Sequence, residues 1–148
     1  MKVEHKNGFT FVEMLVVLMI VSVLAIISIP RIDRLSKVKE ETYMIEQLTN
    51  DLLYAQQYAM THKTAVVVVF YNGQGRYRVT ENSMLGRLLL QRELPQKWAF
   101  EMATLQNPLT FLANGNVNKS GTMFMRNGKK AYRIVFLLGK GRFYVQKL

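Results

Sequence analysis

The chain has 148 residues, 49% of them hydrophobic, with 20 Lys and Arg against 10 Asp and Glu and a formal net charge of +10. This length allows one domain with an appendage. The absence of cysteine excludes disulfides, Cys-ligated metal centres, a thiol nucleophile and a lipid anchor on an N-terminal Cys. His5 and His62 are the two histidines and have no metal-spaced partner, so we expect no metal site, no cofactor and no catalytic residue.

The most apolar part of the sequence is a run of 21 residues, 9–29, with one charged residue, Glu13. A helix of this length spans about 31 Å, close to the thickness of a bilayer hydrocarbon core. A cleaved secretory signal has a shorter apolar region followed by a small-x-small site. The run therefore predicts a transmembrane helix.

Two features of this run are unusual for a plain anchor. Glu13 lies in its N-terminal part, where an ionised carboxylate needs a partner unless it reaches the lipid headgroups. The short polar segment 1–8 ends in Gly8, directly before Phe9, and a glycine offers a protease an unhindered backbone.

The sequence Gly8-Phe9-Thr10-Phe11-Val12-Glu13 with its apolar run resembles the class III signal of type IV pilins and pseudopilins. The resemblance implies that residues 1–8 are a leader, that a membrane prepilin peptidase cuts between Gly8 and Phe9, and that Phe9 is then N-methylated. It also implies that Glu13 pairs with the first residue of a neighbouring subunit. Pro30 stands where such proteins often carry a helix-loosening proline.

Beyond Pro30 the apolar residues recur at three- and four-residue steps, which predicts an amphipathic helix over residues 30–62. Its apolar stripe is Ile32, Leu35, Val38, Ile45, Leu48, Leu52, Ala55 and Ala59. We place the polar residues on the opposite, solvated side, namely Lys37, Lys39, Glu40, Glu46, Asp51, Gln56 and Gln57.

Residues 63–148 have the two-residue period and the turn signals of antiparallel strands. We predict strands at 65–71, 76–81, 87–93, 98–102, 121–126, 131–138 and 142–147, with hairpins at 72–75 and 127–130. We expect 104–120 to be a loop because it holds Pro108, Gly115 and three asparagines. The predicted fold class is α+β, with one long N-terminal helix packed on a small antiparallel β-sheet, as in pilins.

The segment 52–59 and the valine-rich strand that follows look like the helix-to-sheet junction of minor pseudopilins of the GspH and ComGD types. Small size, basic character and lack of cysteine resemble the competence type, which implies a role in assembling or initiating a DNA-uptake pseudopilus. The partners implied are other major and minor pseudopilins, prepilin peptidase, an assembly ATPase with its membrane platform, and the membrane. A minor subunit of a type II secretion or type IV pilus machine is an alternative.

The flanking charges and the resemblance to pilins predict opposite orientations in the membrane. By count, the cations flanking the apolar run favour a cytoplasmic domain, because Lys2 and Lys6 precede the run whereas Arg31, Arg34, Lys37 and Lys39 follow it. Pilin-like proteins have the opposite orientation, and we follow the resemblance. We therefore expect a single-pass membrane protein with an extracellular domain, which enters a surface pseudopilus after processing.

Residues 102–148 contain eight cations and no Asp or Glu. These residues are candidates for binding a polyanion such as DNA: Lys119, Arg126, Lys129, Lys130, Arg133, Lys140, Arg142 and Lys147. The alternative is that they form the solvated side of strands and face teichoic acids, lipid headgroups or acidic sister subunits. A third hypothesis is therefore a membrane-tethered polyanion-binding protein that forms no fibre.

Overall fold

A computed structural model describes residues 10–84, 86–139 and 141–148, except for the side chains of residues 26–38. The chain divides into two compact units, Met1–Tyr43 and Met44–Leu148. Helix α1, Phe11–His62, contributes its first part to one unit and its last part to the other. The helical backbone includes Pro30, so the two predicted helical segments form one element.

The last part of α1 forms one wall of the hydrophobic core in the Met44–Leu148 unit. Leu48, Leu52, Ala55 and Ala59 are at most 1% exposed, and their steps of four, three and four residues place them on one helix face. This confirms the predicted stripe over the part of the helix whose side chains are described. The stripe residues Ile32, Leu35 and Val38 lie outside the described side chains.

Eight strands follow the helix and form two four-stranded antiparallel sheets. The strands are β1 Val66–Tyr71, β2 Arg76–Glu81, β3 Leu88–Glu93, β4 Trp98–Met102, β5 Leu109–Phe111, β6 Gly121–Asn127, β7 Lys130–Phe136 and β8 Phe143–Lys147. The first sheet has the order β3-β2-β1-β5, and the second sheet has the order β4-β6-β7-β8. The α+β class is thereby confirmed, with two sheets where the sequence suggested one.

Both predicted hairpins are present. The β1–β2 pairing ends at Tyr71 opposite Arg76, and the β6–β7 pairing ends at Asn127 opposite Lys130. The second hairpin closes through Gly128, whose φ of 59° lies in the left-handed region that favours glycine.

Strand β5 lies inside the segment 104–120 that we predicted to be loop, and that part of the prediction is wrong. Leu109 and Phe111 are buried while Thr110 between them is not, and β5 pairs with β1. The Asn107 side chain extends this pairing, because its Nδ2 donates to the Phe70 carbonyl at 2.6 Å and its Oδ1 accepts from the Phe70 N–H at 3.1 Å. A three-residue strand gives too short an alternation to detect from sequence.

The two sheets are joined through the loop between β1 and β2. The Gly73 N–H donates to the Phe100 carbonyl at 2.8 Å, and the Phe100 N–H donates to the Gln74 carbonyl at 3.0 Å. In the core, the rings of Phe70, Tyr77 and Phe100 have centroids 5.2 to 6.0 Å apart. Such aromatic clusters add to the stability gained from burial alone, so the loop and the core hold both sheets in one body.

Two loops approach the helix so closely that glycine is required. The Gln56 Nε2 donates to the Gly115 carbonyl at 2.8 Å. A Cβ on Gly141 would lie 2.1 Å from the Gly115 carbonyl oxygen and 2.5 Å from the Gln56 Nε2. We call this contact of Gln56, Gly115 and Gly141 the glycine junction.

Candidate assembly site

Helix α1 begins with a reciprocal pair of hydrogen bonds between Thr10 and Glu13. The Glu13 N–H donates to the Thr10 Oγ1, and the Thr10 N–H donates to the Glu13 Oε2, each at 3.3 Å. This is a capping box, which satisfies two N–H groups that the first turn of a helix leaves without a partner. It also holds the Glu13 carboxylate toward the N-terminal end of the helix, where the helix dipole favours negative charge.

The predicted processing residues lie just before this point. Residues 1–8, including Gly8, and Phe9 are outside the described residues, and the side chain of Pro30 is as well. The roles predicted for Gly8, Phe9 and Pro30 therefore stay predictions. What the structure adds is the position of the Glu13 carboxylate, which is turned back along the helix toward Thr10.

The helix surface after Glu13 is apolar and exposed. Every residue from 11 to 25 is exposed, with fractions such as 79% at Phe11 and 70% at Met19. Ser22 is accommodated in this surface because its hydroxyl donates to the Leu18 carbonyl at 2.8 Å. Such a surface requires a lipid or protein environment.

Across the residues whose side chains are described, no helix is long and apolar enough to cross a membrane. The transmembrane helix predicted at 9–29 includes Phe9 and residues 26–29, which lie outside that part of the chain.

A second acid, Asp51, lies on the buried side of α1 at 8% exposure. We predicted that it faces solvent, and that prediction is wrong. Its Oδ2 accepts hydrogen bonds from the Tyr77 hydroxyl at 2.6 Å and from the Arg92 Nε at 2.9 Å. The pKa of Tyr77 is raised above its usual range, mainly by burial and secondly by the hydrogen bond to Asp51. The phenol therefore stays protonated and donates.

The helical spacing contained a signal for this cluster. Asp51 is three residues after Leu48 and four before Ala55, and therefore lies on the same face as the core stripe. The cluster links α1 to β2 and to β3, and Arg92 is its half-exposed member, with 44% of its side chain accessible. Asp51, Tyr77 and Arg92 fix how the helix lies on the first sheet.

The predicted polyanion-binding residues do not form one patch. Arg126 and Arg133 point to the outward side of the second sheet, because the residues that alternate with them, Met125 and Ile134, are fully buried. Phe124 lies directly opposite Arg133, and Tyr144 lies opposite Val135 in the next row. We call the outward residues Phe124, Arg126, Arg133 and Tyr144 the basic aromatic face.

The other cations lie elsewhere. Lys147 pairs in register with the buried Tyr132, on the opposite side of the sheet, and its Nζ is 6.0 Å from the centre of that ring. Lys129 and Lys130 are exposed at the β6–β7 turn, and Lys119 contacts the Gln106 side chain. Arg142 lines an open groove against α1, and Lys140 is outside the described residues.

The described residues contain no cluster of three or more His, Cys, Asp or Glu side chains that could hold a metal ion.

Comparison with known proteins places this geometry in a family. The model of the prokaryotic N-terminal methylation motif matches residues 5–29, and the model of the type II transport protein GspH matches residues 44–139. The competence protein ComGD of Bacillus subtilis is 25% identical over 146 residues, which cover 99% of this chain and 97% of that protein. The predicted resemblance to pilin-like proteins is thus confirmed.

Solved structures show the same fold. The type IV minor pilin FimU of Pseudomonas aeruginosa matches with a TM-score of 0.61 at 17% identity, covering 74% of this chain and 90% of that one. The minor pseudopilin EpsH of the Vibrio cholerae type 2 secretion system matches with a TM-score of 0.53 at 14% identity, covering 75% and 95%.

The methylation motif marks a membrane-anchored prepilin that enters a surface pilus, and pseudopilins assemble with other pilins after processing by prepilin peptidase. The chain belongs to the GspH family of type II transport proteins, and it is a minor pilin or pseudopilin of a type IV pilus or type II secretion-like system, a structural subunit and not an enzyme.

Proposed function

We propose that this chain is a minor pseudopilin of a competence pseudopilus, and that it acts in the initiation or assembly of a fibre used for DNA uptake. The observation that carries the proposal is the Gly8-Phe9 and Glu13 motif, with the Glu13 carboxylate held at the start of α1 by Thr10. The competence assignment is supported by the full-length similarity to ComGD.

The first step is the removal of residues 1–8 by prepilin peptidase. Cleavage between Gly8 and Phe9 converts the Phe9 amide nitrogen into an α-ammonium group, which is then methylated. This group is a cation at the end of an apolar helix. In a low-dielectric environment an unpaired charge is costly, and a close pair of opposite charges regains part of that cost.

Glu13 supplies the counter-charge for a neighbouring subunit. The capping box already directs its carboxylate toward the N-terminal end of α1 and uses its Oε2 as an acceptor, so the remaining lone pairs of the carboxylate are available to an ammonium group. A subunit inserted at the wrong height would leave both charges unpaired. We infer that Glu13 sets the axial register of the subunit in the fibre, with residues 9–29 as its membrane anchor before assembly and Pro30 at the end of that anchor.

The remaining parts of the proposal concern topology and partners. Residues 30–148 lie outside the cell, the assembly ATPase and its platform act from the cytoplasm and membrane, and other major and minor pseudopilins form the fibre. The basic residues that follow the apolar run then lie outside the cell, against the charge bias.

The processing step is tested with Gly8→Trp. A bulky side chain at the last leader residue blocks access to the peptide bond, so we expect only the precursor, about 1 kDa heavier than the mature chain, given eight residues of leader. Gly8→Ala is the matched control and should be processed. Normal maturation of Gly8→Trp would contradict the role of the peptidase.

The register step is tested with Glu13→Ala in a strain that lacks the wild-type chain. We expect normal processing, loss of the chain from sheared surface fibres, and a fall in transformation frequency of at least about 100-fold, since an unpaired ammonium opposes assembly. Glu46→Ala removes an exposed acid from the same helix and should leave both measurements unchanged. Wild-type incorporation of Glu13→Ala would contradict the proposal.

The same strains decide the second candidate, a minor subunit of a type II secretion or type IV pilus machine. The fold shared with EpsH and FimU favours it. Deletion of the chain would then abolish protein secretion or surface pili and leave transformation intact.

A further inference from the structure

We propose that the basic aromatic face, Phe124, Arg126, Arg133 and Tyr144, binds single-stranded DNA. This goes beyond a role in fibre assembly, and it concerns a surface on the second sheet that is separate from Glu13. The choice of DNA among polyanions rests in part on the proposed competence role.

The first observation is the arrangement of rings and guanidinium groups. Phe124 lies directly opposite Arg133 on the neighbouring strand, and the Arg126 guanidinium carbon is 5.6 Å from the centre of the Phe124 ring. The Cβ atoms of two residues that lie directly opposite each other on neighbouring strands are about 5 Å apart. Phe124 is therefore flanked by two cations on one face, a geometry that suits a base on the ring and phosphates beside it.

The second observation is an exposed aromatic side chain one strand further on. Tyr144 on β8 is 49% exposed and lies opposite Val135, which is two residues beyond Arg133 on the same side of β7. Phe124 and Tyr144 are thus separated by one strand. Two aromatic side chains on the same side of a sheet, with arginines between and beside them, form a stacking platform for successive bases.

The third observation is the charge around the face. The Met44–Leu148 unit holds 14 Lys and Arg against five Asp and Glu. Of those five acids, Asp51 is buried with Arg92, and Glu101 lies beside the face, opposite Phe124, and pairs with Arg126. Both side chains of this pair are about half exposed, at 48% and 52%, so the pair is weak and a phosphate can replace Glu101 at Arg126.

The aromatic rings of the face favour DNA over polyanions that contain no base, because bases can stack on them. A polyphosphate or teichoic acid would gain from the cations alone, whereas a single strand gains from the cations and from Phe124 and Tyr144. Duplex DNA hides its base faces and would use the charges alone.

The test measures fluorescence anisotropy of a labelled oligo(dT) of about 20 nucleotides with the mature full chain in non-ionic detergent, over a salt series. Arg133→Gln should weaken binding about fivefold at 0.1 M salt and reduce the salt slope by about 0.7. Tyr144→Leu should weaken binding about tenfold with the salt slope unchanged. Lys147→Gln, the matched control on the opposite side of the sheet, should have a much smaller effect than Arg133→Gln.

A gain of binding provides a test that a misfolded variant cannot imitate. Glu101→Gln removes the acid beside the face, and we expect about threefold tighter binding. Glu93→Gln makes the same charge change on β3 of the first sheet and should have a smaller effect.

Four results would overturn the proposal. Equal losses in Arg133→Gln and Lys147→Gln would show diffuse charge without a site. Equal competition by polyphosphate, or no effect of Tyr144→Leu, would show a base-independent polyanion surface. Tighter binding of a duplex of equal length would exclude a stacking platform. Because Tyr144→Leu leaves the Gly8-Phe9 and Glu13 motif intact, its entry into fibres is measured in parallel, so failure of DNA binding and failure of assembly are distinguishable.

Discussion

The first and last parts of α1 are both rich in apolar residues, but they differ in how far those residues are buried within the chain. In the last part, Leu48 and Leu52 are 1% exposed and pack within the chain's own core. In the first part, Leu15 and Leu18 are more than half exposed. The acids of the two parts differ in the same way, because Asp51 is paired with Tyr77 and Arg92 whereas Glu13 makes hydrogen bonds with Thr10 at the helix start. The last part of α1 is covered and paired within the chain itself, whereas the first part is covered by a membrane or a neighbouring subunit.

The largest effect that separates the two regions is expected from leucine truncation. Leu52→Ala should lower the free energy of unfolding of the Met44–Leu148 unit by about 3 kcal/mol, since it leaves a cavity in the core. Leu18→Ala should change it by less than about 0.5 kcal/mol. Trp98, the single tryptophan of the sequence and 2% exposed, reports this unit in urea unfolding of the full chain in detergent. Equal losses would contradict the comparison.

The glycine junction tests how tightly the self-contained unit is packed. Gly141→Ala should cost about 2 to 3 kcal/mol, because the added Cβ meets the Gly115 carbonyl oxygen and the Gln56 amide. Gly128→Ala is the matched control. Gly128 has nearly the same φ, 59° against 56°, and a Cβ on it would meet nothing within 4 Å. The control should cost about 1 kcal/mol, from backbone strain alone, and the difference measures the close approach.

Removing Asp51 tests whether the internal acid stabilises the unit. Asp51→Ala leaves the buried Tyr77 hydroxyl without an acceptor and should cost about 2 kcal/mol in the same unfolding assay. The loss should be smaller than for a fully buried pair, since Arg92 is half exposed and can be solvated. In a double-mutant cycle, Tyr77→Phe and Asp51→Ala should be clearly non-additive. Additive losses would show that the 2.6 Å contact contributes little.

The smallest expected effect is a pH dependence. The raised pKa of Tyr77 means that its stabilising contribution is complete below the unfolded value near pH 10 and is lost as the pH rises above it. The free energy of unfolding should therefore fall by up to about 1.4 kcal/mol per pH unit from this group. Tyr77→Phe should show a correspondingly shallower fall between pH 10 and 11. An unchanged slope would contradict the burial of this phenol.

The sequence predicted the features that depend on local pattern. The stripe of Leu48, Leu52, Ala55 and Ala59 follows from helical spacing, and both hairpins follow from glycine-containing turns between strands of period two. The N-terminal motif could be recognised because its glycine, phenylalanine and glutamate stand at fixed positions before an apolar run.

The features that were missed depend on contacts between distant segments. Strand β5 is recognisable only through its pairing with β1, some 40 residues earlier. Asp51 is buried with partners from two later strands, Tyr77 and Arg92. Those partners cannot be read from the local sequence, so the prediction followed the charge of Asp51 and placed it on the solvated side of the helix. The two sheets are joined by the contact of Phe100 with the β1–β2 loop, and no local pattern encodes that contact.

The glycine junction has a consequence for the order in which the protein folds. Gln56 and Gly115 are 59 residues apart in the sequence, and Gly141 comes from a third segment, whereas each tight hairpin closes within a few residues. Contacts between distant residues carry a larger loop-closure entropy and generally form late. We therefore expect the three-way contact to close after the hairpins, so that slow exchange of the Gln56 side-chain amide would report, in a pulse-labelling experiment, the moment at which the fold is finished.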